Sequence, residues 1–367
     1  MLRDGTGYLA ITVDQWPEED YGGHDLRIRR VTAEGRLDRS YGDAGAVHID
    51  RYAGDGWLSI VNYVRDPTDG SVVLFTHITD SDEITKVRAD RVTADGRVDE
   101  DYLSTQRGLS IDRGGSGYPG GFAMTLLPDG AVRACLEAEI PSDGPDLFGL
   151  DPDGDRDARV GPGGLRHNVL PPGSKCSDML VATDGNLVLA VQTADQAELV
   201  KLRPNGDRIP TFGGVAQGTR DLVPSEVRET MDGSFLVCGS AGDDVGVAKA
   251  DPDGTWSSTF GERGMVVVER DSFCSTLEPA GDHVIVGADR LQYRSDSSET
   301  GLQGSSIHVF RLSDGSVDRR FADEGELRLS RRYLARVLLD QFRQLVVFSE
   351  TWRPRRAFLE RKAPRVP

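Results

Sequence analysis

Short apolar segments rich in Val, Ile and Leu alternate with tight turns along almost the whole chain. The segments are too short for amphipathic helices, and turn residues separate them, so the pattern predicts many short β-strands and an all-β protein. An Asp-Gly turn, or a degenerate version of it, precedes an apolar segment seven times. These segments are Tyr8–Thr12, Val72–Phe75, Ala131–Cys135, Leu187–Val191, Phe235–Cys238, Val284–Val286 and Leu345–Phe348.

A second glycine turn follows the first six of these segments after one further predicted strand, and the seventh copy ends in Ala363-Pro364 where the turn should be. Its glycines are 61, 58, 52, 48 and 61 residues apart, at Gly35, Gly96, Gly154, Gly206, Gly254 and Gly315. A bridge with an aromatic residue and a glycine then leads to the next strand, as in Tyr41-Gly42, Phe212-Gly213 and Phe260-Gly261. Glycine supplies the positive φ of a tight turn, and we expect the aromatic ring to fill the gap between adjacent sheets.

Repeats of this length with four short strands are typical of β-propeller blades. We name the strands of one unit a to d, from the predicted axis outwards. For the fifth unit the sequence predicts strands a to d at Ser225–Met231, Phe235–Gly239, Val245–Ala250 and Met265–Glu269. The Asp-Gly turn joins a to b, and the aromatic bridge joins c to d.

The sequence therefore predicts a single β-propeller domain over residues 1–367, with seven four-stranded antiparallel blades; six blades are the alternative. The first blade has only Met1-Leu2-Arg3 for strand a, and the last lacks strand d. The predicted blades are residues 1–50, 51–112, 113–170, 171–222, 223–269, 270–330 and 331–367.

The repeated pattern Asp-Gly, apolar strand, second strand and Asp-Gly-x-Leu-Asp-x-x-Phe-Gly-x-x-Gly resembles the delta-60 repeat of uncharacterised bacterial β-propeller proteins. Residues 31–45 and 251–264 match it best, and residues 154–160 depart from it because they lack the aromatic residue. The resemblance covers essentially the whole chain and implies a propeller fold, but no known reaction and no catalytic residues. A more distant resemblance to NHL-type propellers, which are mostly binding platforms, favours a binding function.

The net charge of the chain disfavours several classes of partner. The chain carries 60 acidic and 43 basic residues, a formal net charge of −17, which is typical of an acidic soluble protein. This balance disfavours binding to nucleic acid or to an anionic membrane. No apolar run approaches the length of a membrane span, and the first residues show no apolar signal core. We predict a cytoplasmic protein, or an extracellular one if a leader precedes the sequence; its oligomeric state stays open.

The remaining local motifs predict no metal site and no cofactor, with a divalent metal as the open alternative. Cys135, Cys176, Cys238 and Cys274 fit no metal-ligand spacing, so we expect buried reduced thiols, or else a bridge between neighbouring blades. Residues 151–157 carry alternate carboxylates but depart from a calcium loop, and predict a turn. Residues 115–120 match G-x-G-x-x-G only as a string and predict a loop. The six histidines show no paired spacing.

In a propeller the a–b and c–d turns lie on one face, and the b–c and d–a connections lie on the other. The second set differs between units: Asp14–His24, Arg51–Trp57, Arg113–Gly121, Pro171–Ser177 and Asp289–Ser306. Packing requires repetition, so divergence marks where function can be placed, unless it is only drift in loops. Trp16, Trp57 and Tyr118 in this set are candidate binding residues for a protein partner.

The inner strands bring a second group of candidates together. Aligned on the a–b turns, one level around the predicted axis holds Tyr63, Ala123, Asp178, Glu226, Cys274 and Arg336. Asp178, Glu226 and Arg336 are candidate catalytic residues, while Tyr63 and, two positions further along strand a, Arg228 are candidate binding residues. A structural ion-pair belt is the alternative.

We therefore predict a rigid binding platform that meets a protein partner or a small polar ligand on its variable-connection face. The alternative is a channel-centred propeller enzyme, a hydrolase or a lyase, that uses the acidic and basic residues near the axis. The sequence does not decide whether the protein is an enzyme.

Overall fold

The computed structural model describes residues 2–4, 7–15, 24–32, 34–52, 57–79, 85–102, 122–136, 143–193, 196–213, 222–262, 264–293, 300–330, 333–339, 344–351 and 356–365. Within these ranges every regular element is a β-strand, apart from a 3₁₀ turn at Pro162–Gly164. The all-β prediction is confirmed. The chain divides into two compact units, which we describe separately: Met1–Gly173 with Pro204–Gly206, and Ser174–Arg203 with Asp207–Pro367.

The first unit contains three antiparallel sheets, each made of strands that follow one another in the chain. Sheet 1 comprises β1 (Leu2–Asp4), β2 (Gly7–Gln15), β3 (His24–Thr32) and β4 (Ala46–Tyr52). Sheet 2 comprises β5 (Trp57–Arg65), β6 (Val72–Thr79) and β7 (Thr85–Val92). Sheet 3 comprises β8 (Phe122–Leu126), β9 (Val132–Leu136), β10 (Asp146–Leu150) and β11 (Leu165–Arg166).

The second unit contains four sheets built in the same way. Sheet 4 comprises β12 (Ser174–Val181), β13 (Leu187–Thr193) and β14 (Gln196–Leu202). Sheet 5 comprises β15 (Leu222–Glu229), β16 (Phe235–Ala241), β17 (Asp244–Ala250) and β18 (Met265–Glu269). Sheet 6 comprises β19 (Ser272–Ala280), β20 (His283–Tyr293), β21 (Thr300–Arg311) and β22 (Glu326–Ser330). Sheet 7 comprises β23 (Tyr333–Leu339), β24 (Gln344–Thr351) and β25 (Arg356–Arg365).

These sheets are propeller-like and follow the predicted a-to-d order closely. In sheet 5, strand d has the predicted bounds, strand a begins earlier at Leu222, and strands b and c are slightly longer than predicted. In sheet 1 the short β1 takes the place of strand a, since Leu2 pairs with Leu9. Sheet 7 has three strands in the described part of the chain, as predicted for an incomplete last unit.

Consecutive sheets within a unit pack face to face, because successive side chains of a strand point to opposite faces. On β16, Phe235 and Val237 pack in a cluster with Val188 of sheet 4. The alternate residues Leu236 and Cys238 pack instead with side chains of sheet 6. Strand β16 is thus buried on both sides, which explains why its sequence is a continuous apolar run.

The aromatic residues of the bridges bury their rings in these inter-sheet cores, as predicted; they are Tyr41, Tyr102, Phe212, Phe260 and Phe321. The glycine after the aromatic residue also donates a backbone hydrogen bond to the c–d turn of the next sheet. The bond runs from Gly213 N to Asp253 O at 2.9 Å and from Gly261 N to Asp314 O at 2.8 Å. The bridge therefore joins adjacent sheets as well as adjacent strands.

The expectation of reduced thiols is wrong. Cys238 on β16 and Cys274 on β19 form a disulfide with a Cα–Cα distance of 6.2 Å, and none of the four cysteines is free. The two residues are 36 positions apart and belong to different sheets, so only face-to-face packing brings them together.

The carboxylate-rich segment at residues 151–157 is a turn, as predicted. Asp151 Oδ1 accepts hydrogen bonds from the backbone nitrogens of Asp153 and Asp155, at 3.1 and 2.9 Å. Asp157 is buried and pairs with Nη2 of the buried Arg133 at 2.6 Å. Residues 115–120 lie outside the described residues. Among the described residues, no helix has the length and apolar character to span a membrane.

Candidate functional site

Two of the predicted catalytic residues and one predicted binding residue meet on the inner strands of the second unit. Asp178 on β12 accepts a hydrogen bond from Arg228 Nη1 at 3.0 Å and one from the backbone nitrogen of Val227 at 2.9 Å, both through Oδ2. Its Oδ1 accepts from the backbone nitrogen of Met179 at 2.9 Å. The carboxylate of Glu226 accepts from Arg228 Nη2. We call Asp178, Glu226 and Arg228 the inner-strand cluster.

A β-bulge positions these side chains. The register of strand a shifts by one residue at the same place in sheets 2, 4, 5, 6 and 7, and a bulge re-aims the side chain that follows it. The residues just after the shift are Asn62, Asp178, Glu226, Thr276 and Arg336. Counting back from the a–b turns places Tyr63 and Cys274 level with Asp178, which is wrong because these turns differ in length. Six residues separate the last paired residues of strands a and b in sheet 2, five in sheet 4 and two in sheet 6.

The two carboxylates of the inner-strand cluster share one guanidinium, that of Arg228. Burial, the strongest single influence, lowers the pKa of Arg228, but the negative charges of Glu226, Asp178 and Glu278 outweigh it and raise that pKa overall. The guanidinium therefore stays charged and holds the two hydrogen-bonded carboxylates. This is the arrangement expected of an ion-pair belt.

The other predicted site residues do not join this cluster in the described part of the chain. Tyr63 is half-buried and packs against the core between sheets 1 and 2. Arg336 lies on β23 and Trp57 begins β5, but their side chains lie outside the described residues. Trp16 and Tyr118 lie wholly outside them.

A second polar site lies at sheet 6, and the sequence did not single it out as a site. A cavity of about 220 Å³ lies between the last residue of β18 and strands β20, β21 and β22 of sheet 6. We call it the sheet 6 pocket. Its lining residues are Glu269, Arg290, Gly304, Ser305, Ser306, Glu326, Arg328 and Leu329.

Behind the lining of this pocket, the buried His308 contacts two of the lining residues, Ser306 and Glu269. Ser306 and His308 are two positions apart on β21 and therefore share a face of the strand. His308 Nε2 lies 2.8 Å from Ser306 Oγ and 3.1 Å from Glu269 Oε2. His308 is only 7% exposed. Its hydrogen bond is the main reason why the pKa of Glu269 is lowered.

Two arginines and a second carboxylate complete the charge pattern of the pocket. Glu326 lies directly opposite His308 in the β21–β22 ladder, and Arg328 lies opposite Ser306. Arg328 Nη2 donates to Glu326 Oε2 at 3.2 Å. Arg290 Nη2 lies 3.9 Å from Glu269 Oε1. The pocket thus presents two cations, two carboxylates and the hydroxyl of Ser306, whereas the hydroxyl of Ser305 donates to the buried Asp289.

Part of the pocket was signalled by the sequence. Arg290, Ser305 and Ser306 fall in the segment Asp289–Ser306, which was assigned to a variable connection. Most of that segment proves to be strand, because β20 extends to Tyr293 and β21 begins at Thr300. Sequence reasoning missed Glu269 and Glu326 because they lie on the outer strands of two different sheets. The alternation of Ser306 and His308 in an otherwise apolar strand is the signal that could have found the site.

No family model matches the chain, and no curated protein matches it. Among solved structures, a protein from Lactobacillus plantarum is 10% identical, with a TM-score of 0.54, and the match covers 98% of this chain and 97% of that one. A protein of unknown function from Dyadobacter fermentans is 12% identical, with a TM-score of 0.47, over 84% and 94% of the two chains. A puromycin hydrolase is 15% identical, with a TM-score of 0.46, over 92% of this chain and 49% of the hydrolase. The chain thus spans about half the length of the puromycin hydrolase. The likeness to the Lactobacillus plantarum protein is a likeness of fold alone.

Proposed function

We propose that the chain is a seven-bladed β-propeller of the delta-60 type, and that it is a binding scaffold for a small polar ligand. The observation that carries this proposal is the sheet 6 pocket, where charged groups of both signs and the hydroxyl of Ser306 converge on one open cavity. A few convergent polar groups in a concave site are what a small-molecule site needs for orientation and specificity.

The location of the pocket supports the same proposal. Glu269 is the last residue of β18, just before the d–a connection, and Arg290 lies near the b–c end of β20. These connections form the set that differs between units, where we place function. The repeated c–d turns, by contrast, are occupied by packing between sheets.

The rival proposal is an enzyme that uses Asp178, Glu226 and Arg336 at the inner strands. A general acid or base needs a carboxylate that can exchange a proton with a substrate. Asp178 instead accepts three hydrogen bonds, two of them from backbone nitrogens, and Glu226 is held by Arg228. The inner-strand cluster therefore gives more support to a structural role than to catalysis.

The disulfide bears on where the protein works. Stable disulfides persist in oxidising compartments and are rare in the cytosol. The bond between Cys238 and Cys274 therefore favours the extracellular alternative over the cytoplasmic one. We propose an exported protein.

The ligand proposal is tested by a panel of small carboxylates, amino acids and sugar phosphates in a thermal-shift assay, with affinities measured by calorimetry. We expect at least one class to bind the wild type and Arg290→Ala to weaken it about tenfold, because a charge-assisted hydrogen bond is lost. Arg97→Ala is the matched control, since Arg97 is an exposed arginine that pairs with Asp95 at 3.1 Å outside the pocket. This control should bind like the wild type.

Two results would contradict the proposal. The first is that no compound in the panel shifts the thermal midpoint of the wild type. The second is that a ligand binds equally to the wild type and to Arg290→Ala but is lost in Asp178→Asn, which would move the function to the inner-strand cluster.

A further inference from the structure

We infer that the sheet 6 pocket binds one divalent transition-metal ion, with Glu269, His308 and Glu326 as its protein ligands. This inference deepens the proposed function, because it names a specific ligand for the same pocket, but it rests on a different set of side chains from the arginine test above. The three residues come from β18, β21 and β22, so neither their order nor their spacing in the chain indicates a metal site.

The distances suit a shared ion. One potential ligand atom from each residue lies within 4.8 Å of the other two. His308 Nε2 and Glu269 Oε2 are 3.1 Å apart. An ion about 2.1 Å from both atoms, with a right angle between them, would place them about 3.0 Å apart. His308 Nε2 and Glu269 Oε2 are therefore already placed to share an ion, and only the half-buried carboxylate of Glu326 needs to move towards it.

The hydrogen bonding of His308 is a second observation that favours an ion. Its Nε2 is shared by the carboxylate of Glu269 and the hydroxyl of Ser306, at 3.1 and 2.8 Å. A ring nitrogen either carries one proton or offers one lone pair, so it cannot donate fully to both oxygens. Coordination would resolve this, because Nε2 and the carboxylate would both point their lone pairs at the ion. Ser306 Oγ, 3.3 Å from Glu269 Oε2, then lies beside the position left for water or a ligand.

The donor set selects the class of metal. One imidazole nitrogen with two carboxylates suits Zn²⁺, Mn²⁺ or Fe²⁺, whereas Ca²⁺ and Mg²⁺ prefer oxygen ligands alone. With three protein ligands, such a site keeps an open position, as catalytic and ligand-binding metal sites do.

Contacts with two arginines oppose the binding of an ion by the two carboxylates. Arg328 holds both carboxylate oxygens of Glu326, through Nε and Nη2, and must release at least one of them. The Arg328 side chain is 72% exposed and that of Glu326 is 25% exposed, so water can replace part of this pair. Arg290 lies 3.9 Å from Glu269, beyond hydrogen-bond distance. The ion therefore competes with the ion pair of Arg328 and Glu326 and with the hydrogen bonds that the buried His308 makes to Glu269 and Ser306.

A second buried histidine in the second unit has carboxylate neighbours but not the geometry of a metal site. His283 also contacts two carboxylates, but Asp282 faces Nδ1 at 2.7 Å and Asp318 faces Nε2 at 2.8 Å. The two carboxylates lie on opposite sides of the ring and cannot share one ion with it. Asp282 is therefore the matched control position.

The test is calorimetry and equilibrium dialysis of the full chain, stripped of metal with EDTA, against ZnCl₂, MnCl₂ and CaCl₂. We expect one Zn²⁺ per chain and at least tenfold weaker binding of Ca²⁺. Glu326→Gln should weaken Zn²⁺ binding at least tenfold, while Asp282→Asn should bind Zn²⁺ like the wild type. The thermal midpoint of Glu326→Gln in EDTA is compared with that of the wild type, to show that any loss of binding is not a loss of fold. If the midpoint is lower, Glu269→Gln is measured instead.

The inference is overturned if the stripped wild type binds no Zn²⁺ at one-to-one stoichiometry, or if the Glu326→Gln and Glu269→Gln variants both bind it as the wild type does. Repeating the small-ligand panel in EDTA separates the two proposals. Polar ligands that bind in EDTA to a chain that takes no Zn²⁺ would sink the metal site alone. Tight Zn²⁺ binding without any small ligand would sink the ligand proposal alone.

Discussion

At the residue scale, the turn glycines are required by their neighbours as well as by their backbone angles. Gly254 has a φ of +84°, and a Cβ placed on it would lie 2.7 Å from both Gly213 N and the ring of Phe212. Gly96 and Gly315 lie in the same way against bridge residues of the preceding sheet. Gly185, in an a–b turn, has a φ of +81° but no atom within 4 Å of such a Cβ. The repeat therefore preserves a close contact between sheets in addition to a turn.

This pair of glycines gives a prediction. Gly185→Ala should lower the free energy of unfolding by about 1 kcal/mol, because only the left-handed backbone conformation is penalised. Gly254→Ala should lower it by about 3 kcal/mol, because overpacking against the bridge adds to the same backbone cost. Urea unfolding of both variants measures the difference. Equal losses would mean that the contact with Phe212 and Gly213 carries no energetic weight.

At the element scale, neighbouring sheets are joined by three kinds of connection. The first is the burial of apolar side chains from strands b and c. The second is the repeated hydrogen bond from a bridge glycine to the next c–d turn. Sheets 5 and 6 add a third, the covalent bond from β16 to β19.

The disulfide should therefore contribute measurably to stability. It closes a segment of 36 residues, so the chain-entropy relation gives a contribution of about 3–4 kcal/mol. We expect the double variant Cys238→Ala, Cys274→Ala to lose about that much free energy of unfolding in urea. Peptide mapping of the non-reduced wild type should recover the two cysteines in one linked peptide pair. Finding both as free thiols, or a double variant as stable as the wild type, would contradict this expectation.

At the scale of the whole molecule, a repeated aspartate makes the free energy of unfolding depend on pH. Asp38, Asp157 and Asp318 occupy the same position after their turn glycines, and the pKa of each is lowered. For Asp157, burial is the strongest single influence and raises the pKa. Hydrogen bonds from Arg159 and Arg133 outweigh it and bring the pKa to about 2. A carboxyl group whose pKa is lowered by folding stabilises the folded state above its unfolded pKa, near 3.8.

We therefore expect the free energy of unfolding to fall as the pH drops from about 4 towards 2, with about 2 kcal/mol of the loss due to Asp157 alone. Chemical unfolding at a series of pH values measures this. Asp157→Asn should be less stable than the wild type at pH 7 and show a shallower fall in acid. Asp155→Asn, a change at an exposed neighbour, should keep the wild-type profile. An unchanged acid profile in Asp157→Asn would contradict the assignment.

The site was less predictable than the fold. The variable-connection argument pointed to the segment that contains Arg290 and Ser306, and the strand-a alignment found Asp178, Glu226 and Arg228. Neither could supply the length of each a–b turn, which sets the level of each inner residue and depends on how strands a and b pair. Nor could they place Glu269 beside His308, because that contact joins strand d of sheet 5 to strand c of sheet 6.

The sequence by itself determined the strands, their order and the turns between them. These properties follow from short apolar segments and from turn glycines with positive φ, which act over a few residues. Only the tertiary structure decided which side chains of different sheets meet: Cys238 with Cys274, Asp178 with Arg228, and Glu269 with His308. The physical reason is that these contacts depend on how the faces of successive sheets pack and register against one another, which no local spacing encodes.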